Sequence, residues 1–374
     1  MSSNQMKLER VELLRLEMPL VSPFRTSFGV QTARDVLLVV AHTTDGAVGY
    51  GECVALAEPV YSEEYVDGAA HVLEHYLVPA VLACEDLTAA RVAELTEGFV
   101  GHRMAKAALE LAVLDAELRQ AGMSLAAYLG GTRERVPVGV SVGITDTIGQ
   151  LVETVQRYRE QGYGRIKLKI EPGFDLEPVR AVREAVGPDV PLQVDGNTAY
   201  RAADLAHVAK LDDLGLLLIE QPFEHDAIAL HAELARRCRT PICLDESITS
   251  AAATARAILA GACSIVNLKA ARMGGYLEAR RAHDVAQALD TPVWCGGMLE
   301  TGLGRAANLA LAALPGFALP GDISASARYY AEDLTEPFIM VDGQIEVPRG
   351  PGLGLTVRED VLGSVLTERR EIRA

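Results

Sequence analysis

Positive charge, paired cysteines and long apolar runs are all scarce in this chain of 374 residues, and each shortage argues against a class of function. Lysine and arginine number 35 against 51 aspartates and glutamates, a formal net charge of −16 that repels phosphate backbones and anionic bilayer surfaces. Neither nucleic acid nor a membrane is an expected partner. The longest apolar runs, such as Leu214 to Ile219, fall far short of the ~20 residues that span a bilayer. The six cysteines (Cys53, Cys84, Cys238, Cys243, Cys263, Cys295) include no CxxC pair, which argues against a zinc site and a disulfide framework. They read as buried small hydrophobes. The polar start Met1-Ser-Ser-Asn-Gln-Met-Lys7 lacks the apolar segment of a secretory signal, so a cytoplasmic protein is expected.

The length suits two domains of ~150 residues, or one barrel with an addition. Val11 to Met18 and Asp35 to His42 read as strands, Asp45-Gly46 as a turn, and Met104 to Leu118 as an Ala-rich helix with apolar residues at helical spacing. That is an α+β pattern. After Gly130-Gly131, short apolar strands alternate with longer amphipathic segments. Their end markers Ser141, Lys169, Asp195, Glu220, Asp245, Lys269, Gly297 and Asp322 recur every 24 to 28 residues. Eight such units, the last strand at Phe317 to Leu319, predict a (β/α)-barrel of the TIM type. A doubly wound sheet would normally bring a Gly-rich phosphate-binding turn after an early strand, and none is present. Gly350-Pro-Gly-Leu-Gly354 reads as turns, and Gln344 to Val347 as a strand returning to the N-terminal part.

Polar residues at the end of an apolar barrel strand converge on the mouth where barrel enzymes place their sites. Here five strands in a row end that way: Lys167-Leu-Lys169, Asp195-Gly-Asn197, Glu220-Gln-Pro222, Asp245-Glu246-Ser247 and Asn267-Leu-Lys269. Asp195, Glu220 and Asp245 would sit side by side as like charges, which is costly unless a cation neutralises them. With no His or Cys among them, a hard ion fits: Mg²⁺, with Mn²⁺ or another divalent metal as substitute. The plainer reading is that each carboxylate caps a following helix. Lys167 and Lys169 leave the same face of their strand, and each raises the cost of charging the other. Lys169 is thereby expected to have a lowered pKa and to serve as a general base. Lys269, four strands on, stands half a circumference away. The plainer reading of both lysines is pairing with the acidic cluster. A metal holding a substrate carboxylate, with a base on each side, suits removal of the α-proton. Return from the opposite face gives racemisation, and loss of a β-leaving group gives dehydration.

These residues resemble the enolase superfamily, a class that uses a Lys or His base with one or two Mg²⁺ ions. The stretches Pro23-Phe-Arg-Thr-Ser-Phe-Gly29, Gly51-Glu-Cys53, Gly101-His-Arg-Met-Ala105, Arg165-Ile-Lys-Leu-Lys169, Ile219-Glu-Gln-Pro222, Cys243-Leu-Asp-Glu-Ser247 and Trp294-Cys-Gly-Gly-Met298 are similar to its muconate-lactonising subgroup. Within that subgroup they resemble the N-acylamino acid racemase / o-succinylbenzoate synthase family. The resemblance implies an α/β fold: a modified TIM barrel, (β/α)₇β, under an α+β capping domain. Residues 1–130 would form the cap, 131–342 the barrel, and 343–374 a segment returning to the cap. It implies Lys169 and Lys269 as the acid/base pair and Asp195, Glu220 and Asp245 as Mg²⁺ ligands, with Lys167, Asn197, Glu246 and Arg272 in support. Ser141, Asn197, Gly297, Met298 and Asp322 would line the substrate region, with Phe24 closing it from the cap. A homo-oligomer, an octamer among its forms, is also implied. One departure is Gly196, where relatives often carry Ala.

No His stands at a barrel strand end, which excludes a His-based mandelate racemase arrangement. Dipeptide epimerases typically present Asp-x-Asp after the eighth strand, whereas here it is Asp322-Ile-Ser324, which favours an acylated, uncharged amino group. The expected activity is racemisation of N-acylamino acids through a Mg²⁺-stabilised enediolate, with synthesis of o-succinylbenzoate for menaquinone as a second or main role. Two other classes stay open. A Schiff-base aldolase would use one lysine as nucleophile but leave three carboxylates unexplained. An inactive metal-binding barrel would leave two opposed buried lysines without a purpose. Arg272, three residues past Lys269, is expected either to lower the pKa of Lys269 or to pair with a carboxylate as a solvated loop residue.

Overall fold

A computed structural model of the chain describes residues 6–373. Its strands are β1 (Leu8–Thr26), β2 (Gly29–Thr43), β3 (Val48–Cys53), β4 (Arg135–Pro137), β5 (Val140–Val142), β6 (Ile166–Lys169), β7 (Leu192–Asp195), β8 (Ile219–Glu220), β9 (Ile242–Leu244), β10 (Ile265–Leu268), β11 (Val293–Cys295), β12 (Gln344–Glu346) and β13 (Leu366–Arg373). Two sheets matter for function. An antiparallel sheet in the order β13-β1-β2-β3 carries the cap, and a parallel sheet runs β11-β10-β9-β8-β7-β6-β5.

In the cap, β2 is buried without interruption from Val36 to Ala41, because the sheet is covered rather than half-solvated there. The helix Arg103–Ala121 lies directly on β3. A Cβ on Gly49 would overlap the carbonyl of Ala112, and one on Gly51 the carbonyl of Ala108. Glycine in the strand and alanine in the helix thus let two backbones touch.

The parallel strands are short, fully buried and separated by helices, as a barrel requires. The eighth stave is not a full strand. The segment 317–322 closes the ring through single bridges, Phe317 with Val293 and Gly321 with Val138, and through Asp322 N donating to Cys295 O at 2.8 Å.

The returning strand also differs from expectation. Gln344–Glu346 pairs with β4 beside the barrel, and Leu366–Arg373 is the strand that joins β1. The tip of the β1–β2 hairpin reaches over the barrel mouth: Ile144 N donates to Arg25 O at 2.9 Å, and Val21 N to Tyr329 O at 2.9 Å. Of the six cysteines five are buried and Cys238 is half-buried. Among the described residues no helix is long and apolar enough to cross a membrane.

Candidate active site

Sheet register builds the site. Lys169 pairs with Asp195, and Asp195 with Glu220, so three charged side chains end adjacent strands at one level. Asp245 follows one residue after β9. Backbone torsions tighten at this rim: Asn197, Thr198, Gln221 and Leu299 all have positive φ without being glycine. Such conformations persist where surrounding structure over-determines them. Gln221 shows how, since its Oε1 accepts the backbone N–H groups of Asp245 (2.9 Å) and Ser247 (3.3 Å). It thereby fixes the turn that presents Asp245. A Cβ on Gly196 would come within 2.9 Å of Pro222 Cα, a close backbone approach at this turn.

The charges interleave. Lys169 Nζ donates to Asp195 Oδ2 and Asn197 Oδ1, both at 2.6 Å. Lys167 Nζ lies 3.0 Å from Asp195 Oδ2, 3.1 Å from Glu220 Oε2 and 2.6 Å from Asp322 Oδ2. Lys269 Nζ donates to Asp245 Oδ2 at 2.9 Å and to the Tyr61 hydroxyl at 3.1 Å. Arg272, buried rather than solvated, pairs with Asp245 and also donates to the carbonyls of Ile248 (3.0 Å) and Asn267 (3.1 Å). Asn267 Nδ2 donates to Glu220 Oε1 at 2.7 Å, and Asn197 Nδ2 to Glu246 Oε1 at 3.0 Å.

These contacts set the ionisation. Burial opposes charge on Asp195, but Lys169 and Lys167 outweigh it and hold this carboxyl below its ordinary range. Arg272 and Lys269 do the same for Asp245. Glu220 goes the other way, pushed up to about 8 by burial and then by Asp195. Glu246 is pushed up to about 7 by burial, then by Asp245 and Asp195. For Lys167, burial is outweighed by Asp322, Glu220 and Asp195, which keep the ammonium well above its ordinary value. Lys269 is likewise raised, with Asp245 and Tyr61 outweighing burial while Arg272 pulls down.

Three fully buried carboxylates on successive strand ends offer only hard oxygen donors, and Glu246 Oε2 is buried with no hydrogen-bond partner. This donor chemistry fits a hard divalent cation. Among the described residues no three such side chains are gathered as a finished metal shell. Ammonium and guanidinium groups stand between them and occupy the same oxygens.

The remaining expected residues fall around this row. Ser141 is the middle residue of β5, and its buried hydroxyl is unpartnered. Gly297 and Met298 follow β11, and a Cβ on Gly297 would overlap the Asp322 carbonyl. Met298 Sδ is 3.6 Å from Lys269 Nζ. Phe24 is buried edge-on to Tyr329, ring centroids 6.3 Å apart. Asp322 offers no free charge, because Arg165 (2.7 Å) and Lys167 hold its carboxylate. Sequence reasoning gave no role to Tyr61, Gln221, Asn267 or Arg165, although Arg165 opens the stretch Arg165-Ile-Lys-Leu-Lys169. Gln221 and Asn267 did lie in the strand-end motifs, which was the available signal. Tyr61 lies in a cap loop with no periodicity to mark it.

Residues 150–361 match the family described as enolase C-terminal domain-like, and residues 10–130 match the mandelate racemase / muconate lactonizing enzyme N-terminal domain. The chain is 62% identical to an N-succinylamino acid racemase from Amycolatopsis, over 97% of this chain and 99% of that one. It is 42% identical to an o-succinylbenzoate synthase from Bacillus subtilis, over 97% of each. A solved member of the enolase superfamily from Listeria innocua superposes with a TM-score of 0.94 at 39% identity, covering 98% of this chain and 99% of that one.

Proposed function

Because the chain belongs to the N-succinylamino acid racemase / o-succinylbenzoate synthase family of the enolase superfamily, we propose that it interconverts the enantiomers of N-acylamino acids, N-succinylamino acids foremost. It is an enzyme of racemase or lyase type. The observation that carries the finer reading is the placement of two buried lysines, Lys169 on β6 and Lys269 just after β10, with three strands between them and each on a different carboxylate.

Asp195, Glu220 and Asp245 would hold the divalent cation, Mg²⁺ in this reading. When bound, it supplies positive charge that favours loss of the proton α to a substrate carboxylate. Lys169 takes the proton from one face, and Lys269 delivers one to the other. In the reverse direction their roles exchange. Asn197 and Asp195 orient Lys169, while Asp245 and Tyr61 orient Lys269. Lys167, held by three carboxylates, neutralises the floor of the site instead of moving protons. The reading also includes Ser141, Gly297, Met298 and Phe24 as the substrate's surroundings, a cytoplasmic setting and a homo-oligomer.

Synthesis of o-succinylbenzoate is favoured as a second activity by the 42% identity to the Bacillus synthase. It needs only one base. Proton NMR of N-succinyl- and N-acetylamino acids in D₂O with enzyme and Mg²⁺, run beside a dehydration assay for o-succinylbenzoate, tests both. Exchange at Cα of both enantiomers supports racemisation, and dehydration without exchange leaves the synthase alone.

A further inference from the structure

Tyr61 reaches the site from outside the barrel. It lies in the cap loop after β3, and its ring packs on Phe28 at the β1–β2 hairpin tip, centroids 5.9 Å apart. Its hydroxyl is 3.1 Å from Lys269 Nζ and 3.1 Å from Arg272 Nη1. Arg272 and the Lys269 ammonium group both donate, so the phenolic oxygen accepts from both.

Lys269 carries three N–H positions as an ammonium group. Asp245 accepts one and Tyr61 another, while the third meets only the Met298 thioether at 3.6 Å, a weak acceptor. Two strong acceptors stop the group from spinning and aim its third position. That weakly held position carries the proton the ammonium group delivers and, in the neutral amine, the lone pair that removes one. Lys169 is held by Asp195 and Asn197, both from barrel strand ends. One lysine is therefore oriented by the barrel alone and the other by barrel and cap together.

We propose that Tyr61 is a positioning residue through which the cap orients Lys269, so that proton transfer on that face depends on the cap loop and transfer at Lys169 does not. This rests on the two-lysine reading above. Tyr61→Phe keeps the ring, its packing on Phe28 and the Lys269 contact over its face at 4.9 Å, and removes only the hydroxyl.

The test is α-proton exchange of each enantiomer of N-succinylalanine in D₂O by the full-length, Mg²⁺-loaded protein, with Lys269→Ala identifying which enantiomer depends on Lys269. In Tyr61→Phe the kcat for that enantiomer should fall about 10- to 100-fold, the effect of one hydrogen bond to a charged group. Its KM, and both constants for the other enantiomer, should stay within about threefold of wild type on the same reasoning. Equal loss for both enantiomers, or no loss, overturns the assignment. Exchange of only one enantiomer by the wild-type protein is a separate result that overturns the two-lysine reading and this inference with it.

Discussion

Gly275 leaves the space that Glu110 fills: a Cβ at Gly275 would overlap the glutamate's carboxylate. Glu110 belongs to the cap helix Arg103–Ala121, yet it accepts the N–H of Leu277 at 3.1 Å in the first turn of the barrel helix Tyr276–Ala288. Glu52 repeats the arrangement, accepting from Thr301 N and Gly304 N at 3.0 Å, at the start of the helix Gly302–Ala312. Two cap carboxylates thus satisfy the orphan N–H groups and positive ends of two barrel helices. Gly275→Ala should cost about 2–4 kcal/mol from overlap and from strain at its φ of 152°. Glu110→Ala should cost about 1–3 kcal/mol. The double variant should cost less than the sum of the two, because Glu110→Ala removes the carboxylate that the methyl added by Gly275→Ala would meet. Urea unfolding measures this, and strict additivity would contradict the seam described.

The same carboxylates give stability a pH dependence. Burial pushes Glu52 up to about 7 and Glu110 up to about 8, from an ordinary 4.5. Between the ordinary and the raised value the folded protein keeps protons that the unfolded chain has released. The contribution is therefore full below about pH 4.5, shrinks as pH rises, and is gone above the raised value. Arg281 and Glu278 face Glu110, and Glu300 faces Glu52. Glu110→Gln, which keeps a neutral side chain at all pH, should flatten the fall of melting temperature between about pH 5 and 8. An unchanged slope would mean that the helix end holds Glu110 ionised throughout.

Removal of metal should abolish activity, and Mg²⁺ or Mn²⁺ should restore it. Borohydride with substrate should leave the protein's mass unchanged. A reduced adduct on Lys169 or Lys269 in the mass spectrum would replace α-proton abstraction with Schiff-base chemistry.

Lys169→Ala and Lys269→Ala should each abolish racemisation while still exchanging the α-proton of one enantiomer, a different one in each variant. Wild-type exchange of both enantiomers by either variant would show that the lysines do not divide the two faces.

Arg272→Gln tests how the Lys269 side is tuned. Arg272 contacts Asp245 and Tyr61, the two groups that hold Lys269, and disfavours charge on that lysine. In the two-lysine reading, racemisation would need Lys269 to act as a base as well as an acid, whereas dehydration from one face would need only Lys169. Racemisation should therefore fall at least about 10-fold further than o-succinylbenzoate formation. Equal losses would reduce Arg272 to a brace, a role its bonds to the Ile248 and Asn267 carbonyls also serve.

The row Lys169, Asp195, Glu220, Asp245, Lys269 was legible because strand spacing repeats and because a polar residue ending a buried strand has no packing reason to be there. Register then made it physical. The helix read as Met104 to Leu118 extends only to Arg103–Ala121. Strand β13 was illegible for the opposite reason. It is an exposed edge strand of Glu368, Arg369, Arg370, Glu371 and Arg373, held by backbone pairing with β1 and by charge pairs, so it shows no apolar alternation. The commitment of Asp322 to Arg165 depends on a side chain 157 residues distant. No local pattern carries such a pairing, nor that of Tyr61 with Lys269, 208 residues on.

The glycines of β3 act as a gauge. They set how deeply the helix Arg103–Ala121 beds on the sheet, since Gly51 faces the carbonyl of Ala108 and Glu110 stands two residues further along that helix. A single methyl at position 51 would lift the helix and draw Glu110 away from Leu277, carrying a fault in the cap's own bedding across the seam to a barrel helix. Tolerances in the two halves are therefore not set separately: the fit of a strand to a helix in one half governs alignment in the other.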